Sequence, residues 1–212
     1  MIIMEQLKPE IKSKKGEGGS ENKKENEFKI EQFYDKYISN KEFVNRISLD
    51  NLRELKEKGI STEKLLDYMC QTKNVLLHGS VVDIQEDALS SPAGRGKIFA
   101  SNKAVIAIMR SIYSNVGANL EYPYFINEKS HFYLQINTYE DGKFRTSEKG
   151  FVYVVKESGF VNEPEGSWQF VNNSEKVKYV AVIETEKSDF KYPIEVKKNL
   201  KELEERWESE NE

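Results

Sequence analysis

Two periodicities divide the chain. From Phe28 the apolar residues Phe28, Ile30, Phe33, Tyr34, Tyr37 and Ile38 recur mostly three or four apart with charges between them, which predicts an amphipathic helix. Ser48 stands as an N-cap before a helix over 49–58, with Leu52 and Leu55 facing inward and Gly59 as its stop. Ser61 or Thr62 caps the next helix, whose apolar surface is Leu65, Leu66, Tyr68, Met69 and Cys70. The pattern then changes. Residues 74–78 and 97–100 are short apolar runs ending in small polar residues and are expected as strands, and a helix over 102–114 follows the second. That helix carries Ala104, Val105, Ile106, Ala107, Ile108 and Met109, is apolar on every side, and is therefore expected to be buried on more than one face.

Strand signals dominate the second half. Residues 122–126 and 131–137, the run Phe151-Val152-Tyr153-Val154-Val155, then 160–161, 168–171 and 179–183 read as a mostly antiparallel series. Residues 81–94 read as a loop with little regular structure, and 162–167 as a second loop carrying carboxylates. The last segment, with Val196, Leu200, Leu203 and Trp207, has the narrow stripe of a surface helix and ends in an acidic tail. The expected organisation is a disordered charged tail over 1–26, a helical extension over 27–72, one α+β domain over 73–193, and a C-terminal helix and tail over 194–212. The helical extension is expected to pack on the sheet, with a separate partner-binding arm as its alternative.

Composition narrows the function classes. Of 212 residues, 32% are charged and 38% hydrophobic, a low apolar share that suits a core plus solvated chain. The stretch 12–26 has no hydrophobic residue. A net charge of −4 argues against attraction to bulk nucleic acid or an anionic membrane surface. The single cysteine, Cys70, excludes an intramolecular disulfide, no Cys/His set has zinc spacing, and no run approaches the roughly 20 apolar residues of a membrane span. A cytoplasmic protein without a metal site is the expectation.

The candidate chemistry lies where the first strand ends. His78, one of two histidines, is followed by Gly79 and Ser80, which places a side chain and bare backbone at a sheet edge, where ligands commonly dock. The order Leu77-His78-Gly79-Ser80, then Ile98-Phe99-Ala100-Ser101 with its helix, then Gly150-Phe151-Val152-Tyr153-Val154, and Phe160 leading to Ser167-Trp168 resembles the ADP-ribosyltransferase superfamily. The pattern is most similar to its small bacterial and phage-type members and to the RNA 2'-phosphotransferase branch. The resemblance spans about 74–190 and implies a split, mostly antiparallel sheet that binds NAD and transfers ADP-ribose to a protein or nucleic-acid acceptor. It implies that His78 bonds the NAD ribose, that Gly79 leaves backbone groups open to the nicotinamide amide beside Ser80, and that an aromatic or hydroxyl residue of the second strand, Phe99 or Ser101, packs by the ring. A late-strand glutamate stabilises the developing positive charge in that family. The corresponding strand here has none, so Glu163, Glu165 or Gln169 would serve. Arg95 and Arg110 flank the second strand and its helix, but no arginine stands beside His78, so NAD binding is favoured over action on RNA. Two other readings stay open: a noncatalytic binding module on the same fold, and an interaction protein acting through its N-terminal helices.

Overall fold

The computed structural model describes residues 19–39, 44–91, 96–113, 122–128, 131–137 and 146–197. Its chain order is α1 (Gly19–Tyr34), a π-helical turn (Asp35–Ser39), β1 (Asn45–Ile47), α2 (Leu49–Glu57), α3 (Thr62–Thr72), β2 (Val75–Ser80), β3 (Ala88–Ser90), β4 (Ile98–Ser101) and α4 (Ala104–Ile112). There follow β5 (Tyr122–Glu128), β6 (His131–Asn137), β7 (Lys149–Lys156), β8 (Val161–Asn162), β9 (Gln169–Asn172), β10 (Lys176–Glu186), a 3-10 turn (Lys187–Asp189) and β11 (Ile194–Lys197). The fold is α+β. The main sheet runs β1-β10-β7-β2-β4-β9-β8 with β3 on the first residues of β10, and a three-stranded sheet runs β11-β6-β5. All pairings are antiparallel except β1 with β10 and β11 with β6.

Local chemistry accounts for the helices. Ser48 Oγ accepts the Asn51 N–H while the Asn51 side chain accepts the Ser48 N–H, a reciprocal cap that starts α2, and Gly59 at φ +73° supplies the left-handed turn that ends it. Of the two expected caps of α3, Ser61 takes the role by accepting from Lys64 N, while Thr62 is buried and donates to Asp189. The N-terminus of α4 is capped from outside: Asp67 of α3 accepts from Ala104 N at 3.0 Å, and burial raises the pKa of that carboxyl.

The helices α1 to α3 and α4 share one apolar cluster with a face of the sheet, in which Ile30, Phe33, Leu52, Leu65, Met69 and Ile108 meet Val152, Val154, Ala181 and Ile183. The N-terminal helices are thus part of the core, and β1 contributes a strand of the main sheet from the midst of them. α4 sits directly on the strands: an ideal Cβ on Gly79 would lie 2.0 Å from the Ala107 carbonyl oxygen, and one on Gly150 would lie 2.1 Å from that of Ser111. Only glycine permits this approach. Beside it Ser111 Oγ donates to Ile108 O, which leaves Thr185 as the donor in the 2.8 Å contact between the two hydroxyls.

Besides the unanticipated β1, three elements differ from expectation. α1 begins at Gly19, inside the stretch expected as solvated chain, where Lys23 with Glu27 and Lys29 with Glu25 form pairs one turn apart that support a polar helix. The loop expected over 81–94 contains β3, paired with β10. Residues 194–197 form β11 along the edge of β6 and not the start of a helix, because Ile194-Glu195-Val196-Lys197 alternates at the period of a strand and an edge is there to receive it. Residues 198–212, including Leu200, Leu203 and Trp207, lie outside the described residues.

Candidate functional site

The main sheet parts at the end of β2. β2 and β4 are joined by a single residue pair, Leu77↔Ser101, and no further pair connects His78, Gly79 and Ser80 to Phe99 and Ile98. On its other edge β2 remains fully paired with β7 through Ser80↔Phe151. His78 spans the opening, with Nδ1 at 2.7 Å from the Phe99 carbonyl oxygen. A carbonyl only accepts, so Nδ1 carries the hydrogen, and in the neutral ring Nε2 is the acceptor. Desolvation lowers the His78 pKa, against a smaller upward effect of the Phe99 bond, so the ring is neutral at pH 7. One residue past the joining pair, Asn102 Oδ1 is buried with no hydrogen-bond partner. A second acceptor without a donor therefore follows the end of β4.

Strand alternation divides the expected site residues between the two faces. Leu77, Val152 and Val154 point to the helices, so His78 and Ser80 lie on the second face with Leu76, Phe151 and Tyr153. Gly79 faces α4, and the reason for a glycine there is the helix packed against its Cα, not access for a ligand. Ala100 and Phe170 belong to the second face, which puts Phe99, Ser101 and Gln169 on the first. Ser101 is buried and its hydroxyl accepts from Lys103 N at the entry to α4. Phe99 is 41% exposed.

None of the three candidates for the acceptor role comes to His78. Gln169 lies on β9, two strands or about 10 Å from β2, and its amide donates to the Glu163 main chain at 3.0 Å. Glu163 is beyond the end of β8, exposed, and 3.4 Å from Lys97; Glu165 is exposed in the same loop. Arg95 lies outside the described residues.

The second face holds groups that local sequence did not single out together. The ring of Tyr153 is 6.4 Å from that of His78 and 4.9 Å from that of Tyr179. Its hydroxyl accepts from Ile84 N at 2.6 Å and donates to Val82 O, and burial pushes its pKa up to about 12, so it stays a donor at all ordinary pH. Arg46 of β1 pairs with Asp83 at 2.6 Å and stands 3.8 Å from Glu184, while Lys149 reaches Glu184 at 2.9 Å. Both cations lie over the Phe151 ring. The alternation Lys149, Phe151, Tyr153 on β7 was the available signal for this shared face; Arg46 and Asp83 had none, because their contact joins residues far apart in the chain.

Elsewhere, a cavity of about 380 Å³ lies between the α2–α3 turn and the 3-10 turn, lined by Lys56, Ile60, Ser61, Glu186, Asp189 and Lys191 among others. Its buried charge is already matched, since Asp189 takes Lys56 at 2.9 Å, the Thr62 hydroxyl and the Glu186 N–H. Among the described residues no three His, Cys, Asp or Glu side chains gather to hold a metal, and no helix is long and apolar enough to cross a membrane. Comparison of the chain with protein-family models, with curated proteins and with solved structures finds no match.

Proposed function

We propose that this protein is a nucleotide-binding module of the ADP-ribosyltransferase-like type, which holds NAD at the parting of β2 and β4 and does not transfer ADP-ribose. The observation that carries the binding half is the orientation of His78: with Nδ1–H fixed on the Phe99 carbonyl, its Nε2 is left as an acceptor at the opening. A ribose hydroxyl is a donor suited to it, and the amide of nicotinamide brings N–H donors of the kind that the unpaired Asn102 Oδ1 lacks. The same family resemblance supports the choice of cofactor. The noncatalytic half rests on the placement of Glu163, Glu165 and Gln169, since charge developing on a ribose at His78 would meet none of them.

Calorimetric titration of NAD into the protein, with mass spectrometry for ADP-ribose on added protein and nucleic-acid acceptors, tests both halves. Binding without transfer is expected. His78→Ala should weaken binding about 5- to 150-fold, equivalent to ~1–3 kcal/mol, with the fold retained. Absence of NAD binding by the parent protein overturns the cofactor reading, and transfer by the parent overturns the noncatalytic one.

A further inference from the structure

We propose that residues 81–87 form a hinged lid over the second face of the sheet, latched by the hydroxyls of Tyr153 and Tyr179. Both ends of the segment are held in ladders: Ser80 pairs with Phe151 of β7, and Ala88 with Lys178 of β10. The seven residues between them form no strand or helix, and their main chain is held by side chains of the sheet below. Tyr153 binds Val82 O and Ile84 N, and Tyr179 donates to Glu86 O with Ile84 O at 3.4 Å. Ser80 Oγ accepts from Val82 N at the first hinge. The apolar hold is small, because Ile84 packs on the second-face cluster while Val82 is 56% exposed.

The remaining ties are ion pairs at the surface: Arg46 with Asp83, Lys176 with Glu86, and Lys178 with Asp87. Exposed pairs of this kind hold weakly and are screened by salt. Opening the segment therefore separates four hydrogen bonds made by two phenols, one isoleucine and three screened pairs, while both flanking ladders stay closed. Such a low-cost local opening is the property expected of an element that admits a ligand. Tyr153 is the link to the proposed site, since one side chain both latches the segment and stands against the His78 ring. The role of the lid in admitting NAD rests on the proposed function; its opening does not.

Amide hydrogen exchange on the full chain, without ligand, decides the matter. In the parent protein, amides 82–87 should exchange through an opening distinct from that of β2 and β7, and faster at high salt. The Tyr153→Phe, Tyr179→Phe double variant should exchange there about tenfold faster or more, with β2 and β7 unchanged. Ile84→Ala, which leaves both phenols in place, should act in the same direction. Exchange of 82–87 only together with β2 and β7, or no acceleration in either variant, overturns the lid. If the parent binds NAD, the double variant should also release it faster, and unchanged release overturns the gating role. Absence of NAD binding removes that role along with the proposed function, and leaves the lid itself to the exchange result.

Discussion

The two faces of the main sheet are covered in different ways. The helix-covered face gathers twenty-three buried residues into one cluster, against nine on the second face among the described residues. Helices satisfy most of their own main chain and offer apolar side chains to the sheet, so a large core forms with polar groups needed mainly at the helix ends. The segment over the second face has no internal ladder; its carbonyls accept hydrogen bonds from Tyr153 and Tyr179, and its N–H groups donate to Tyr153 and Ser80. The difference places most of the buried apolar contact on one face and His78, with the hydrogen-bonded cover beside it, on the other.

The sharpest way to break this comparison is on the helix side. Gly79→Ala or Gly150→Ala sets a Cβ against a carbonyl of α4, and neither backbone can yield cheaply. Each should cost about 2–4 kcal/mol and lower the melting temperature by roughly 4–16 °C. A loss below about 0.5 kcal/mol in urea titration would show that α4 is not seated as described.

Asp67 is the next test. Asp67→Ala removes the cap of α4 and should cost about 0.5–2 kcal/mol, whereas Asp67→Asn keeps an acceptor without a charge to desolvate and should cost less. Because burial raises the folded pKa of Asp67, the folded state binds the proton more tightly than the unfolded chain. Its contribution to stability is present at acid pH and is lost as pH rises from the ordinary aspartate range through the raised value, a slope that Asp67→Asn should remove.

His78 gives the opposite slope on the other face. Its folded pKa is lowered, so the unfolded chain binds the proton more tightly, and stability should fall as pH drops below about 6.5 toward the folded value. His78→Gln should flatten the melting temperature across that window, and an unchanged slope would mean that the ring is not desolvated. The smallest effect is expected at the exposed Lys97–Glu163 pair, where Lys97→Ala should change stability by less than about 0.5 kcal/mol and leave NAD titration unaltered.

Much of this architecture was legible because its signals are local. The caps at Ser48 and Ser61 act within three residues of themselves, and the alternation from Phe151 to Val155 exposes two apolar faces whatever lies upon them. The strands begun by the apolar runs at Val75 and Ile98 follow from the same reasoning, although the first continues through His78 to Ser80 and does not end at His78. β1 and β11 were not legible. Asn45-Arg46-Ile47 and Ile194-Glu195-Val196-Lys197 are short segments that become strands because β10 and β6 offer edges to them.

The site divides along the same line. Sequence by itself determined that a histidine, a glycine and a serine follow an apolar run, and that a buried helix comes after the next strand; that the three residues continue the strand came from its pairing with β7. Only the tertiary structure decided that Gly79 serves α4, that Phe99, Ser101 and Gln169 lie across the sheet from His78, and that Tyr153 joins His78 to the segment over it. The physical reason is that a strand specifies which residues share a face, but not what will cover that face. The cover here comes from segments distant in the chain, and their pairing with the sheet is a free-energy choice of the whole fold.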